Sequence, residues 1–356
     1  MFLLTVFRLR SLPVTERLKR EFKAVLAKSF ACIVALNVVE AAPARGRLGR
    51  ISLHGAIDIH AHQDPDSTSH VMDAVQLARI AKRRGMRGLV LKSHWQPTAS
   101  LAYMARKMVP GIELFGGVTQ DVAVGGINVE AVRRMADTTG GYGRVVWLPT
   151  LDAANEDNRR GVIAPPELYA FAPRTGGRLK VEVASAGKLL PEVIDLIDYV
   201  ARHPPLVLET GHISAQESLL VIREARARGV AHIVVTHAIN PPEDMTIEQM
   251  KEAAAAGAFI EFTYAAVLER NATVSLTRIA EAMRAVGPAH CIMATDLGGY
   301  RAGAAVRPSE PQGFLDFMVS LNRLGFSIED LDLMAKENPA IVLGLTPPNL
   351  GKRRSR

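Results

Sequence analysis

"GAIDIHAHQD" occupies residues 55–64 and places two histidines one residue apart at the end of an apolar run. Side chains along a β-strand alternate between its two faces. We therefore expect His60 and His62 to project to the same side of a strand, with Asp58 below them and Ile59 facing the opposite side. Two imidazoles one pleat apart can bind one divalent cation, although such a tripeptide alone is also compatible with an ordinary strand end.

Seven further short apolar runs follow along the rest of the chain. Each run is apolar on consecutive positions, which is typical of strands buried on both faces of a parallel sheet. Helical patterns lie between the runs, and Ser214 with Glu217 and Thr246 with Gln249 have the spacing of capping boxes. The predicted strands are 56–62, 88–94, 112–118, 144–150, 205–212, 232–238, 258–264 and 291–296.

Eight alternating strand–helix units predict an α/β fold, a (β/α)8 TIM barrel with extra C-terminal helices from residue 310 onward. The stretch 150–205 departs from this spacing and indicates an inserted loop with a β-hairpin. A doubly wound sheet is the competing architecture, and it would require a phosphate-binding loop after an early strand. The nearest glycine cluster, GGYG at 140–143, precedes a strand and is therefore read as a turn.

The composition is that of a folded, enzyme-sized protein, with 48% hydrophobic and 22% charged residues in 356. The net charge of +7 belongs to the termini. Residues 1–50 hold ten Lys and Arg against three Asp and Glu, and the tail KRRSR (352–356) adds four basic residues, which leaves 51–351 at −4. An acidic body removes the electrostatic case for nucleic-acid binding. The two cysteines form neither a CxxC pair nor a disulfide framework.

The chain divides into three predicted parts: an N-terminal extension (1–50), the barrel (51–348) and a basic tail (349–356). Within the extension, SFACIVALNVVEAAPA (29–44) resembles the apolar region of a signal peptide, but Asn37 and Glu40 interrupt it. It is also too short to span a bilayer, and no membrane span is expected elsewhere. We expect a poorly ordered extension and a cytoplasmic protein, or an exported one if residues 1–45 act as a signal peptide.

Polar side chains cluster at the carboxyl ends of the predicted strands, where TIM barrels carry their chemistry. Strand two ends in Lys92 and His94, strands five and six in His212 and His237, and strand eight in Asp296. Together with the two histidines of strand one, they form a donor set that strongly favours a metal site. The role of His94 stays open between a substrate contact, a hydrogen-bond partner of a ligand and a surface histidine.

This order of residues resembles the amidohydrolase superfamily, and within it an uncharacterised branch. The resemblance covers roughly residues 55–345 and includes the ending NPAIVLGL (338–345). It implies that His60 and His62, with Asp296, hold the more buried ion and that His212 and His237 hold a second. It also implies that Asp296 is the general base toward the water that the metal activates. The predicted catalytic residues are Asp296, Lys92 and His237.

One departure from the superfamily concerns the group that bridges the two ions. Members with two ions usually use a carbamylated Lys or a Glu from strand four, but this strand ends WLPTLD (147–152). Asp152 is the nearest carboxylate, Lys92 is a candidate ligand if carbamylated, and Glu182 is a third candidate. Lys92 could instead stay cationic and hold a substrate carboxylate or phosphate. A one-ion arrangement therefore remains open.

Other polar and aromatic residues near the strand ends have weaker predictions. Glu261 is expected to pair within the barrel layer, and Trp95 and Tyr264 are expected to pack. Arg301 is a candidate anion anchor for the substrate, with a solvated loop arginine as the alternative.

The predicted activity is metal-dependent hydrolysis of an ester, lactone, amide or phosphoester of a small molecule. Zn²⁺ is the expected ion, with Mn²⁺ and Fe²⁺ as alternatives. A metal-dependent non-oxidative decarboxylase and a non-catalytic metal-binding barrel are the competing functions. A homo-oligomer is compatible with the sequence.

Overall fold

The computed structural model describes residues 51–158, 179–268, 274–298 and 309–348. Eight strands pair in parallel, in the order of the sequence, and a helix follows each strand. The predicted (β/α)8 barrel is confirmed. The predicted N-terminal extension, the basic tail and Arg301 lie outside the described residues, so the predicted domain boundaries stay predictions.

Each of the eight predicted apolar runs overlaps an observed strand. The strands are β1 (Ile57–His62), β2 (Gly88–Lys92), β3 (Glu113–Thr119), β4 (Gly143–Trp147), β5 (Val207–Glu209), β6 (His232–Val235), β7 (Phe259–Thr263) and β8 (Cys291–Ala294). Inside the predicted insertion, Ala184–Ser185 pairs antiparallel with Lys188–Leu189, as the expected hairpin.

The helices that cover the sheet are α1 (Ala74–Arg83), α2 (Ala99–Met108), α3 (Val129–Ala136), α4 (Pro191–Arg202), α5 (Ala215–Ala227), α6 (Ile247–Ala255), α7 (Leu276–Val286) and α8 (Glu310–Arg323). Shorter helical turns are Val122–Val124, Ala154–Asn158, Ala265–Leu268 and Pro288–His290. The expected C-terminal helices follow α8 as Ile328–Asp332, Leu333–Glu337 and Asn338–Val342. No helix within the described ranges is both long enough and apolar enough to cross a membrane.

Local sequence explains where two of these helices begin. Ser214 Oγ accepts from Glu217 N at 3.3 Å, and Glu217 Oε2 accepts from Ser214 N at 2.8 Å. Thr246 and Gln249 form the same reciprocal pair before α6. Both predicted capping boxes are confirmed, and each satisfies backbone N–H groups that a helix start leaves without partners.

The barrel closes where β8 meets β1. The Asp296 N–H donates to His60 O at 2.8 Å, and the His62 N–H donates to Leu297 O at 2.9 Å. These bonds continue the sheet beyond the end of β8 and form a bridge between Ala61 and Leu297. The first and last strands are therefore joined at the residues that carry the predicted metal ligands.

Two apolar clusters hold the barrel together. Leu89 and Leu91 belong to the larger one, which lies between the sheet and the helices. Val90 and Trp147 belong to the smaller one, which fills the barrel interior. Residues Ala340, Val342 and Leu343 pack onto the interior cluster, so the C-terminal segment covers it. Burial of apolar side chains on both faces of the strands explains why their sequence pattern is continuous.

A β-bulge lies in the middle of β1. Asp58 pairs with Leu89 and Ala61 pairs with Leu91, so Ile59 and His60 together oppose a single residue of β2. Ile59 lies in the interior cluster and Asp58 lies on the side of Leu89, toward the helices. The expectations that Ile59 lies on the opposite side of the strand from the histidines and that Asp58 lies below them are wrong, because a bulge breaks the two-residue period of a strand.

Candidate metal centre

The predicted site residues converge at the carboxyl ends of five strands. His60 and His62 close β1, and Lys92 is the last residue of β2. The others follow strand ends by two or three residues: His94 after β2, His212 after β5, His237 after β6 and Asp296 after β8. All are buried except Asp296, whose side chain is 25% exposed.

Five imidazoles at this end form a closed ring of neighbours. Their ring centroids are 5.3 Å apart for His60 and His62, and 5.0 Å for His62 and His94. The distances continue with 6.0 Å from His94 to His212, 5.0 Å from His212 to His237, and 5.7 Å from His237 back to His60. The structure thus brings together histidines from four different strand ends.

Asp296 joins the two histidines of β1. Its Oδ1 lies 3.1 Å from His60 Nε2 and 3.2 Å from His62 Nε2. These three residues have the spacing of a group that could hold one metal ion. They are the three residues that the resemblance assigns to the more buried ion.

A second group of the same kind contains His212, His237 and Glu243. One potential ligand atom from each residue lies within 4.8 Å of the other two. The sequence predicted both histidines but not Glu243, which lies in the loop after β6. The described residues therefore contain two adjacent candidate metal groups, and each has two imidazoles and one carboxylate.

Buried glutamates face the Nδ1 atoms of three of these imidazoles. His60 Nδ1 is 3.1 Å from Glu261 Oε2, His237 Nδ1 is 3.3 Å from Glu243 Oε2, and His212 Nδ1 bonds Glu156 Oε1. A carboxylate on one ring nitrogen fixes the orientation of an imidazole and makes the other nitrogen a better ligand. This arrangement is typical of metal-binding histidines.

Sequence patterns contain little that predicts the roles of these glutamates. Glu156 lies in a helical turn after β4, and Glu243 lies in a loop after β6. Neither belongs to a periodic element or a motif. The one usable signal is that both follow strand ends on the catalytic side of a barrel. Glu261 was expected to pair within the barrel layer, and its partner there is His60.

Lys92 is completely buried inside the barrel. Its Nζ lies 2.9 Å from His60 Nε2 and 5.4 Å from the centre of the Trp147 ring. None of the carboxylates in the described ranges forms an ion pair with it. A buried ammonium without an ion-pair partner is costly, so its environment is unusual for a structural lysine.

His94 is held by a chain of hydrogen bonds that starts at a buried carboxylate. Its Nδ1 lies 2.8 Å from Thr150 Oγ1, and that hydroxyl bonds Asp121. Asp121 Oδ1 also accepts from the backbone N–H groups of Thr150 and Asp152. Burial and the nearby Asp152 raise the pKa of Asp121 to about 7. His94 is therefore fixed within the ring of imidazoles, and is not a surface histidine.

The backbone is strained at two of the predicted ligands. His237 has a φ of 24° and Asp296 has a φ of 51°, a region that L-residues rarely adopt. Such conformations persist where the surroundings enforce them, and they cluster at functional sites. Gly211, which precedes His212, has a φ of 61°, and a Cβ there would lie 2.3 Å from Leu148 O. Only glycine fits this close approach.

The two histidines of β1 have opposite net pKa shifts, although burial lowers the pKa of both. Burial lowers the pKa of His62 to about 4, although Asp296 opposes this effect. Burial and Lys92 also favour neutral His60, but Asp296 and Glu261 raise the pKa of His60 to about 10. Burial alone would raise the pKa of Asp296, yet His60 and His62 hold it well below its ordinary value. The two imidazoles therefore favour the carboxylate form of Asp296.

The remaining candidates lie away from the two groups. Asp152 Oδ2 accepts from Val122 N at 3.0 Å, in the loop after β3. Glu182 is exposed. Trp95 lies beside His94 with ring centroids 6.0 Å apart. Tyr264 stacks on Phe317 of α8 at 5.3 Å, in agreement with a packing role.

The fold of this chain is similar to that of several solved structures. An organophosphorus hydrolase double mutant from Deinococcus radiodurans shares 14% identity at a TM-score of 0.52, over 83% of this chain and 94% of that one. A phosphotriesterase homology protein from Escherichia coli, with phosphate in its active site, shares 16% identity at a TM-score of 0.50, over 82% and 99%. At this identity the likeness shows the (β/α)8 barrel fold alone.

The family of the chain follows from its sequence. The model of the family described as "Family of unknown function (DUF6282)" matches residues 55–261, more than half of the chain, and the protein belongs to this family. The match begins at the stretch that contains His60 and His62 and ends at Glu261. None of the curated proteins matches the chain.

Proposed function

We propose that this protein is a metal-dependent hydrolase that acts on a small molecule. The observation that carries this proposal is the position of Asp296 Oδ1, 3.1 Å from His60 Nε2 and 3.2 Å from His62 Nε2, at the carboxyl end of a barrel. The adjacent group of His212, His237 and Glu243 supports a centre of two ions.

The donor set fits divalent transition metals. His60, His62 and Asp296 would hold one ion, and His212 and His237 would hold the other, with Glu243 as a ligand or as the group that orients His237. Imidazole-rich sites with a carboxylate suit Zn²⁺ and also accept Mn²⁺ or Fe²⁺. We favour Zn²⁺. In each Glu–His pair the carboxylate takes up Nδ1, so an ion would be held through Nε2.

A bound divalent cation lowers the pKa of water and polarises the bond to be cleaved, which suits an ester, lactone, amide or phosphoester. Asp296 accepts the proton of the attacking water at a carboxylate oxygen and passes it to the leaving group. His94 and Arg301 are proposed to bind the substrate, and Thr150 holds His94 in place for that role.

We further propose that Lys92 is carbamylated in the metal-loaded protein, and that the carbamate would be a ligand of both ions. A permanent ammonium 2.9 Å from His60 Nε2 would repel a cation bound there. In the modification the neutral amine adds CO₂ and releases one proton, which leaves an N–COO⁻ group. This anion replaces the missing bridging carboxylate, because Asp152 bonds Val122 in another loop.

The test pairs metal analysis with a substrate panel. Purified full-length protein is loaded with Zn²⁺, Mn²⁺ or Fe²⁺, freed of excess metal, and assayed on lactones, aryl esters, amides and phosphotriesters. We expect two ions per chain and hydrolysis that a chelator abolishes and added metal restores. Metal-loaded protein that hydrolyses no member of these four classes would contradict the proposal.

A mononuclear non-oxidative decarboxylase is the second candidate, because it also uses an HxH pair, a histidine and an aspartate. One ion per chain together with CO₂ release from small carboxylic acids would favour it. Two ions per chain would exclude it. A non-catalytic barrel predicts bound metal with no turnover in either assay.

A further inference from the structure

Glu261 lies inside the barrel on β7 and is completely buried. Its Oε2 lies 3.1 Å from His60 Nδ1, and its Oε1 lies 3.3 Å from the same nitrogen. The same Oε2 accepts a hydrogen bond from the backbone N–H of His237 at 2.9 Å. One carboxylate therefore contacts a proposed ligand of each ion.

The bond to the backbone of His237 has a specific structural role. His237 follows β6 with a φ of 24°, so its peptide is held in a sparsely populated conformation. A buried N–H in such a turn needs a fixed acceptor, and Glu261 provides it. If this acceptor moved, the His237 imidazole would move with its backbone.

Two other buried glutamates provide comparisons. Glu156 bonds the imidazole of His212, which is a proposed ligand of one ion. Glu209 also lies inside the barrel, but its Oε2 accepts from Trp147 Nε1 at 2.8 Å and from Thr236 Oγ1 at 3.1 Å. Neither of these two partners is a proposed metal ligand. The three glutamates thus differ in how many ions they support.

We propose that Glu261 is a positioning residue that couples the two metal sites, so that binding of one ion orders the ligands of the other. This inference rests on the proposed two-ion centre. An ion on His60 fixes that imidazole against Glu261, and the fixed carboxylate then holds the His237 backbone in its strained conformation. Binding of the second ion acts on the first by the same contacts, because coupling between sites is reciprocal.

The test measures metal binding without any assay of activity. Metal-free full-length protein is titrated with Zn²⁺ against a chromophoric chelator, and the bound metal is counted after gel filtration. We expect the wild-type protein to bind two ions with positive cooperativity. In Glu261→Gln both ions should bind about 10–100-fold more weakly, the usual effect of losing a carboxylate that orients a ligand, and the cooperativity should disappear.

Matched variants separate coupling from general damage to the barrel. Glu156→Gln should weaken one ion and leave the other near its wild-type affinity. Glu209→Gln removes the same charge from the barrel interior, but Trp147 and Thr236 are not proposed ligands, so both affinities should stay within about twofold of wild type. Far-UV circular dichroism confirms that each variant is folded. If Glu261→Gln does not fold, Glu261→Asp replaces it: the shorter carboxylate cannot span both partners, so the ions should bind without cooperativity.

The outcomes distinguish this inference from the proposed function. Folded wild-type protein that binds no ion would overturn both. Two ions that bind wild-type protein independently, or a Glu261→Gln variant that weakens one ion only, would overturn the coupling and leave the hydrolase proposal standing. If Glu209→Gln weakened both ions as much as Glu261→Gln does, the loss of affinity would come from any charge change in the barrel interior. This result would also overturn the coupling.

Discussion

The Nζ atom of Lys92 lies 2.9 Å from Nε2 of His60. This pair is compatible with a metal ion on His60 only if the lysine loses its positive charge. Carbamylation removes the positive charge and supplies a carboxylate at the same place. Lys92 is completely buried, so bulk water does not compete with a metal ion for this carboxylate.

We expect Lys92→Met to bind one ion per chain where the wild-type protein binds two, because the bridging group is lost. Wild-type protein loaded with metal and ¹³C-bicarbonate should give a carbamate resonance in its ¹³C NMR spectrum, and Lys92→Met should not. Lys336→Met is the control, since Lys336 is also buried but pairs with Asp332 at 2.6 Å. A carbamate resonance that survives in Lys92→Met, or its absence from the wild type, contradicts the modification.

Asp296→Asn should lower kcat by about 10²–10⁴-fold on any substrate that the panel identifies, because the variant cannot accept the proton of the attacking water. The amide keeps the shape and one oxygen ligand, so we expect the protein to retain metal at reduced affinity. The measurement is kcat at full metal occupancy. Unchanged turnover with metal bound would remove Asp296 from proton transfer.

Gly211→Ala should destabilise the protein and displace His212. The positive φ costs about 1–2 kcal/mol for an L-residue, and overlap with Leu148 O adds about 1–3 kcal/mol. Gly229→Ala is the matched control, because its φ is 89° but no atom lies within 4 Å of the added Cβ. In urea unfolding, Gly211→Ala should therefore have a lower free energy of unfolding than Gly229→Ala. Equal values would mean that the close approach at Gly211 relaxes without cost.

Glu310→Gln should stabilise the protein at alkaline pH. Burial raises the pKa of Glu310 in α8 from 4.5 to about 8. Between these two values the folded protein keeps a proton that the unfolded chain releases, so the free energy of unfolding falls as pH rises. The variant has no carboxyl group at this position and does not lose stability in this way. The difference in free energy of unfolding between Glu310→Gln and wild type should therefore be about 2–4 kcal/mol more favourable to the variant at pH 8 than at pH 4.

Thermal or urea unfolding of both proteins across pH 4–9 measures the gain at Glu310. Glu281→Gln, on the exposed side of α7, is the control and should follow the wild-type profile. A Glu310→Gln profile parallel to wild type would show that this carboxyl stays ionised in the folded protein.

The sequence predicted the architecture and the principal donors for a clear physical reason. Strands buried on both faces are apolar at every position, so the sequence shows where each strand ends. Polar residues just beyond those ends, such as His212 and Asp296, are then easy to locate. The bulge at Ile59 and His60 could not be predicted, because it depends on pairing with β2 and not on the local pattern. Glu156 and Glu243 were missed since loops position them through contacts that are distant in sequence.

The junction between β8 and β1 determines when the ligands of the candidate metal site come together during folding. Thr295 Oγ1 bonds His60 O although the two residues are 235 positions apart in the chain. His60 and His62 are made early in synthesis, whereas Asp296 is added with the last strand. A nascent chain that ends before β8 therefore holds two histidines without their carboxylate and without the strand that aligns them. An ion on His60, His62 and Asp296, as proposed above, would therefore find all three ligands in place only after the barrel has closed.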